Sequence, residues 1–183
     1  MRCPPLRATL RPATRYVGLD VDDAYGCADV VSHEFLPFAD ESFDLCLCTQ
    51  AFYFVKDPSW AVAEIQRVLR PGGHVVLTLP CVYPGTGRLY TAIQLRELFA
   101  GWRDVVVVEN GGTAVSIVTL SGYFLHQIEK RLPPQIGRTF VALYVALNGI
   151  GEAADSFERR FLRTAETLPA NLLVRATRPT GQQ

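Results

Sequence analysis

The first residue with clear chemical potential follows a short apolar segment. Arg15–Asp20 is predicted to form a strand that ends in a carboxylate. In an open parallel sheet, ligands bind beyond the carboxyl ends of the strands. A carboxylate there can accept hydrogen bonds from both hydroxyl groups of a ribose, which is the chemistry of a nucleotide-type site. A solvated acid that merely ends a strand is an equally good interpretation of this residue alone.

The same rule selects three further segments, because each follows a predicted strand. They are Ser32–Phe35, Thr49–Tyr53 and Pro80–Tyr90. Side chains in these segments are expected at one edge of the sheet, together with Asp20.

The elements that must position these residues alternate between strand and helix. Strands are predicted over Arg15–Asp20, Ala28–Val31, Phe43–Thr49, His74–Leu79, Asp104–Glu109 and Asn171–Thr177. Helices are predicted from Pro58 to the stop at Arg70-Pro-Gly-Gly73, over Tyr90–Phe99, and over Thr113–Leu132 and Arg138–Leu168, with a break near Gly149–Gly151. Asp57 is the expected N-cap of the first helix, and Glu64 and Arg67 are expected to pair on it. This alternation predicts one α/β domain with a mainly parallel sheet.

Length, charge and composition exclude several classes of protein. The chain has 183 residues, 49% of them apolar, with eighteen basic and eighteen acidic side chains. That composition excludes intrinsic disorder, and the balanced charge lacks the basic signature of nucleic-acid binding. The longest apolar runs are shorter than the roughly 20 residues that span a bilayer, and arginines interrupt the N-terminus where a secretory signal would be apolar. The prediction is a soluble cytoplasmic protein.

The five cysteines do not predict a metal site or a disulfide scaffold. Their number is odd and their spacing irregular, and Cys46 and Cys48 would share one face of a strand. The three histidines are scattered and complete no ligand set with them. We expect buried, unreactive thiols and no metal.

Four segments together form a recognisable pattern. Tyr16-Val-Gly-Leu-Asp20 is followed by Leu36-Pro-Phe-Ala-Asp-Glu-Ser-Phe-Asp44, then by Asp57-Pro58, then by Ala63-Glu-Ile-Gln-Arg-Val-Leu-Arg-Pro-Gly-Gly73. The chain thereby resembles class I S-adenosylmethionine-dependent methyltransferases, and within them the methyltransferase type 11 group. The resemblance implies a three-layer Rossmann-like sandwich and S-adenosylmethionine as cofactor, with S-adenosylhomocysteine as product.

The resemblance also implies roles for individual residues. Asp20 falls where the family binds the cofactor ribose and Val21 where a side chain lies against adenine. Ser32 replaces the aspartate that usually accepts from the adenine amino group, and Phe54 replaces a frequent histidine. The implied cofactor-binding residues are Asp20, Val21, Ser32, His33, Phe35, Thr49 and Gln50. The polar groups expected to face a methyl acceptor are Tyr53, Tyr83, Arg88 and Tyr90, and no catalytic residue is nominated.

The family's first strand, GxGxG loop and first helix would precede Tyr16. Only fifteen residues precede it and none is glycine, so residues 1–15 are expected to be an irregular segment. In the family's usual order that strand lies between those matching Tyr16–Asp20 and Phe43–Thr49, which would here lack their shared neighbour. A start placed too far downstream and a decayed cofactor site both remain open.

Two further features have alternative interpretations. Gly149-Ile-Gly-Glu-Ala-Ala154 matches a dinucleotide-binding fingerprint, but too little chain follows to build that fold, so a helix kink is expected. The apolar stretches within residues 113–168 are expected to form a helical cap over the sheet, or otherwise a dimer face or lipid-contacting surface. The expected function is methyl transfer to a small-molecule or lipid-linked acceptor. The alternative is a non-catalytic, methyltransferase-like protein that acts through protein association.

Overall fold

The computed structural model describes residues 15–23, 26, 28–32, 35–81, 87–129, 134–162 and 168–181. Within them lie six strands: β1 (Leu19–Asp20), β2 (Val30–Val31), β3 (Phe43–Thr49), β4 (Leu69–Pro80), β5 (Arg103–Asn110) and β6 (Asn171–Thr177). The helices are α1 (Pro58–Val68), α2 (Ala92–Leu98), α3 (Thr113–Glu129) and α4 (Pro134–Phe157). A 3₁₀ turn covers Phe52–Phe54, and a π-helical turn, Glu158–Leu162, follows α4.

The described strands form two sheets. One contains β1 and β2 in parallel. The other has the order β3-β4-β6-β5, with β3 parallel to β4, and β6 antiparallel to both of its neighbours. No ladder joins β1 to β3 within the described residues.

Local sequence explains where the two short helices begin. The Asp57 carboxylate accepts from the Trp60 backbone N–H at 3.0 Å, and Pro58 occupies the first turn, where a missing N–H costs nothing. The predicted N-cap of α1 is therefore confirmed. Thr91 and Gln94 form a capping box at the start of α2, so this helix begins two residues after the predicted Tyr90.

One face of the four-stranded sheet carries the hydrophobic core. Val75, Leu77 and Val174 are fully buried on this face, where they pack in one cluster with Ile65 of α1 and Leu95 of α2. Cys46 and Cys48 of β3 lie at the margin of the same cluster. We call this surface the covered face of the sheet.

The opposite face of this sheet is open to solvent in the described structure. Leu45 and Leu47 of β3 are 47% and 40% exposed, and Val106 and Val108 of β5 are exposed to a similar extent. These side chains alternate along their strands with those of the covered face. We call this surface the open face.

The Arg70-Pro-Gly-Gly73 segment differs from its prediction. The sequence predicted a turn there, with a strand starting at His74, but β4 already begins at Leu69. The register with β3 shifts between the pairs Phe43–Leu69 and Leu45–His74, so this segment bulges out of the ladder. Gly72 adopts a φ of +79°, which glycine tolerates at no steric cost.

The predicted break at Gly149–Gly151 is wrong, because α4 runs unbroken from Pro134 to Phe157. Gly151 instead lets α4 approach α3 closely: a Cβ there would lie 3.3 Å from a Val118 methyl group. Similarly, a Cβ on Gly122 would lie 2.0 Å from the Tyr144 ring. Helices α3 and α4 thus form a tightly packed antiparallel hairpin. Since its glycines lie inside a helix, the fingerprint-like segment has no strand-to-helix turn for a phosphate.

Candidate functional site

Asp20 lies at the carboxyl end of β1 with its side chain exposed. Its Oδ1 accepts from the Val21 backbone N–H at 2.7 Å, which fixes the orientation of the carboxylate. No described residue donates to Oδ2. One carboxylate oxygen thus remains available to accept from an external hydroxyl group.

Ser32 is held beside Asp20 by the parallel pairing of β1 and β2. Its backbone N–H donates to the Asp20 carbonyl at 3.0 Å, and its Oγ donates to the Phe35 carbonyl at 2.6 Å. With its only proton used, the Ser32 oxygen retains lone pairs that can accept from an amino group. The predicted cofactor residues Asp20, Ser32 and Phe35 are therefore neighbours. His33 lies outside the described residues.

Two apolar side chains accompany these polar groups. Val21 is 53% exposed and Phe35 58% exposed. Exposed apolar surface beside an acceptor pair fits a nucleoside, whose base needs a flat apolar contact and whose sugar needs hydrogen-bond acceptors. The residues present at this edge therefore fit the adenosine part of S-adenosylmethionine.

Thr49 and Gln50 end the neighbouring strand β3. Gln50 has a positive φ of 54°, and its backbone N–H donates to the Thr78 carbonyl at 2.9 Å. Its Nε2 donates to Asn171 Oδ1 at 3.1 Å. Asn171 starts β6 and was missed from the sequence, because only the antiparallel return of β6 brings it to this edge.

Of the predicted acceptor residues, Tyr53 lies in the 3₁₀ turn, and Arg88 and Tyr90 come later in the chain. Tyr53 is buried, its carbonyl accepts from the Arg88 N–H at 2.7 Å, and a Cβ on Gly87 would lie 2.1 Å from its ring. Glycine is thus required at position 87 to bring the segment carrying Arg88 and Tyr90 against this turn. Tyr83 lies outside the described residues.

The Tyr90 hydroxyl is the buried polar group at this edge without a well-formed hydrogen bond to any described residue. The side chain is only 8% exposed, and its ring lies 5.8 Å from that of Phe52. Burial raises the pKa of Tyr90, and the charge and side chain of Arg88 oppose this rise. A neutral, buried hydroxyl group that lacks a hydrogen-bond partner can donate to or accept from a polar group of a ligand.

Helix α3 is anchored at the same edge by a buried carboxylate that was not identified from the sequence. Asp155 of α4, 1% exposed, accepts from the backbone N–H groups of Gly112, Ala114 and Val115 at 2.6, 2.9 and 3.2 Å. These groups belong to the first turn of α3, where unsatisfied donors favour an anion. Asp155 therefore fixes the base of the hairpin beside the carboxyl end of β5.

The Leu36–Asp44 and Ala63–Gly73 motifs meet in one structural contact. Arg67 pairs with Glu64 on α1 as predicted, its Nε donating to Glu64 Oε1 at 2.8 Å. Its remaining N–H groups reach the carbonyls of Leu36 and Phe38, the Asp40 carboxylate and the second Glu64 oxygen. All five guanidinium donors are thus used to fasten the loop to α1. Arg67 also lowers the pKa of Glu64 through this hydrogen bond and its charge.

The cysteines on β3 and after β4 are poor nucleophiles. Burial, with a smaller contribution from Cys48, raises the pKa of Cys46 to about 12. Burial also raises the pKa of Cys48, and that of Cys81 to about 11. These thiols are free and half-buried, which fits the expected unreactive role, while Cys3 and Cys27 lie outside the described residues. In the part of the chain that the structure describes, no group of three His, Cys, Asp or Glu residues could hold a metal ion.

Residues 6–77 match the family model described as "Methyltransferase domain". Malonyl-[acyl-carrier protein] O-methyltransferase of Erwinia billingiae is 36% identical over 87 residues, covering 48% of this chain and 30% of that protein. Phthiotriol/phenolphthiotriol dimycocerosates methyltransferase 1 of Mycobacterium ulcerans is 40% identical over 85 residues, covering 40% of this chain and 31% of that protein. The chain therefore matches about a third of the length of these relatives.

A solved structure supports the same fold. The [4+2]-cyclase SpnF superposes with a TM-score of 0.58 at 20% identity, covering 98% of this chain and 71% of that chain. The predicted α/β, Rossmann-like methyltransferase architecture is confirmed by this likeness. Over residues 6–77 the chain is therefore similar to methyltransferases, as the motifs around Asp20 and Arg67 predicted, and its fold is that of the Rossmann-like methyltransferases.

Proposed function

We propose that this protein binds S-adenosylmethionine at the carboxyl edge of its strands and transfers the methyl group to a small-molecule or lipid-linked acceptor. The observation that supports this most is the grouping of Asp20, Val21, Ser32 and Phe35 at the ends of β1 and β2. Asp20 would hold the ribose, while Val21 and Phe35 would enclose the adenine. Ser32 would accept from the adenine amino group.

The methionine part would lie toward Thr49 and Gln50, at the end of the next strand. The Gln50 side-chain oxygen is left to accept a ligand hydrogen bond, because its Nε2 is already held by Asn171. S-adenosylmethionine supplies an electrophilic methyl group on a sulfonium centre. The protein's contribution to such a displacement is alignment and a water-poor site.

On the acceptor side, Tyr90 would hydrogen-bond a polar group of the incoming molecule. Its buried hydroxyl gains a partner when that molecule binds, and it is protonated at neutral pH, as any tyrosine is, since burial only raises its pKa further above the ordinary value of 10.0. We therefore assign Tyr90 an orienting role. Tyr53 is packed against Gly87 and the Phe54 ring, so it would shape the wall of the site.

The acceptor class is inferred from the relatives. One is named for a malonyl group on acyl-carrier protein and another for phthiotriol and phenolphthiotriol dimycocerosates. The chain itself exposes large apolar side chains on α3 and α4, although no helix within the described residues is long and apolar enough to cross a membrane. A lipid-linked acceptor suits that surface.

The test is calorimetry with S-adenosylhomocysteine and S-adenosylmethionine. Micromolar binding by the wild-type chain is expected. Asp20→Ala should weaken it about 10- to 100-fold, the usual cost of losing charge-assisted hydrogen bonds. Asp44→Ala makes the same change at the opposite end of a strand, where the carboxylate pairs with Arg70, and should leave the affinity unchanged. Equal affinities of Asp20→Ala and wild type would refute the ribose assignment.

A non-catalytic role through protein association is the second candidate. It is favoured by the open face, where Leu45, Leu47, Val106 and Val108 are exposed. If neither ligand binds at millimolar concentration while the chain remains folded, this second candidate becomes the better account.

A further inference from the structure

The side chains of Gln50 and Asn171 meet across the carboxyl edge of the four-stranded sheet. Gln50 follows β3 and Asn171 begins β6, and β4 lies between these two strands. Neighbouring strands lie about 5 Å apart, so the two side chains together span roughly 10 Å over the end of β4. The Gln50 Nε2 donates to Asn171 Oδ1 at 3.1 Å. This amide bridge therefore lies at the edge assigned to the methionine part of the cofactor.

Asn171 is the fixed half of the amide bridge. Its backbone is paired on both sides, with Pro80 of β4 and with Asn110 of β5. The preceding residue is fixed as well, since the Ala170 N–H donates to the Asn110 carbonyl at 3.0 Å. Asn171 is half-buried, whereas Gln50 is exposed. Asn171 can therefore hold the Gln50 side chain while Gln50 faces a ligand.

Gln50 has a backbone conformation that is unfavourable for its residue type. Its φ of 54° lies in the left-handed region, which glycine and, less often, asparagine adopt. Glycine would relieve this cost but would also remove the side chain. Strained residues of this kind are concentrated at functional sites. Since glycine would serve the turn better, we expect the glutamine side chain to have a role beyond the fold.

The amide bridge sets the direction of the Gln50 side chain. When an oxygen of Asn171 holds Nε2, the Gln50 Oε1 is left as a free acceptor, and none of the described residues donates to it. The methionine part of S-adenosylmethionine ends in an ammonium group, which donates, and a carboxylate, which accepts. An outward oxygen favours the ammonium group, while an outward Nε2 would favour the carboxylate.

We propose that Asn171 is a positioning residue: it holds the Gln50 amide so that the amide oxygen accepts from the ammonium group of the methionine part of S-adenosylmethionine. This inference rests on the proposed function, because it concerns the same cofactor site. It assigns Asn171 a contribution to cofactor affinity that passes through Gln50.

Calorimetry with two ligands tests where this contribution acts. S-adenosylhomocysteine carries the amino-acid part, and 5′-methylthioadenosine lacks it. Asn171→Ala should weaken binding of the first about 3- to 10-fold, as expected for one hydrogen bond to a charged group, and leave binding of the second unchanged. Asn171→Asp should keep at least the wild-type affinity, because a carboxylate only accepts and so still holds Nε2. Asn110→Ala, the same change on the neighbouring strand, is the control and should bind both ligands like wild type.

Variants of Gln50 test whether Asn171 acts through this side chain. Gln50→Gly should weaken S-adenosylhomocysteine binding at least as much as Asn171→Ala does. Its urea midpoint should equal or exceed that of wild type, because glycine relieves the backbone strain. Adding Asn171→Ala to Gln50→Gly should cause no further loss of affinity. Asp104→Gly relieves a similar φ of 51° at the opposite edge of the sheet and should leave the affinity unchanged.

Each outcome supports or overturns the proposal. It is overturned by an unchanged S-adenosylhomocysteine affinity of Asn171→Ala, by equal losses with the two ligands, or by additive losses in the double variant. A loss in Asn171→Asp as large as in Asn171→Ala would also overturn it, since the amide would then point the other way. If the wild type binds neither ligand at millimolar concentration, the proposed function fails and this inference fails with it. Wild-type binding that Asn171→Ala leaves intact overturns this inference alone.

Discussion

Both faces of the four-stranded sheet carry apolar side chains, but these side chains have opposite surroundings on the two faces. The covered face packs Val75, Leu77 and Val174 against α1 and α2 until each is fully buried. The open face presents Leu45, Leu47, Val106 and Val108 to solvent. Residues one position apart on the same strand, such as Cys46 and Leu47, therefore differ in burial although both are apolar.

This difference shows what an apolar strand does and does not specify. A strand that is apolar on both sides is typical of a parallel sheet covered twice. Covering, however, requires an amphipathic helix of suitable length on each side. In the described structure α1 and α2 both cover the same face, while α3 and α4 pack mainly against each other. The stability of the fold should therefore come mostly from one face of the sheet, and the other face should be the more reactive and tolerant one.

The largest expected effect is the difference in unfolding free energy between alanine substitutions at Leu77 and at Leu47. Leu77→Ala removes a fully buried side chain of the covered face and should lower the free energy of unfolding by about 3 kcal/mol, within the usual range for such cavities. Leu47→Ala on the open face should cost about 1 kcal/mol or less, since little packing is lost. Urea denaturation followed by circular dichroism measures both values. Equal losses would mean that the open face is packed in solution.

Thiol labelling sharpens the same comparison at adjacent positions. With its pKa raised to about 12 by burial, Cys46 should react with iodoacetamide at pH 8 roughly 100 to 1,000 times more slowly than in urea. A cysteine introduced by Leu47→Cys faces the open side and should react at nearly the unfolded rate. Tandem mass spectrometry resolves the two sites. Protection of the introduced cysteine would reveal a cover over the open face.

Away from both faces, the start of α3 is held to α4 by the buried carboxylate of Asp155. Asp155→Asn keeps the shape of the side chain but replaces one acceptor oxygen by a donor, facing backbone N–H groups of residues 112–115. We expect the free energy of unfolding to fall by about 1–3 kcal/mol, which thermal denaturation would detect as a lower midpoint temperature. Ser156→Ala, one residue further on, is the control and should cost about 0.5 kcal/mol or less. A larger loss in the control would locate the anchoring elsewhere on α4.

Local signals allowed most of the elements to be predicted. The bounds of β3 and β6 were predicted to the residue, and Asp57 was identified as the N-cap of α1, because alternation and capping are encoded by neighbouring residues. The helix break at Gly149–Gly151 was predicted wrongly for the converse reason. Glycine weakens an isolated helix, but here the close contact with Val118 of α3 compensates, and only the tertiary structure reveals that contact.

The candidate site was predictable to the extent that it depends on strand ends. Asp20 and Ser32 were found because each follows a strand, and the structure makes them neighbours. Asn171 and Asp155 were missed because their partners are distant in sequence: Gln50 lies 121 residues from Asn171, and Gly112 lies 43 residues from Asp155. Single-sequence patterns carry no information on such pairs. The roles assigned to the predicted site residues remain predictions.

The smallest expected effect is a change in the pH dependence of stability. It concerns Glu64, which pairs with Arg67 where this arginine fastens the loop of Leu36, Phe38 and Asp40 to α1, on the covered side of the sheet. Because Arg67 lowers the pKa of Glu64, the ionised carboxylate stabilises the fold. That contribution should be complete above the unfolded pKa of about 4.5 and should disappear as the pH falls through the lower pKa of the folded state. Glu64→Gln should thus be less stable than wild type at pH 7, and the urea midpoints should converge near pH 3. Glu97→Gln, on the exposed side of α2, is the control. A Glu64→Gln deficit that persists undiminished at pH 3 would show that the side chain acts through packing rather than charge.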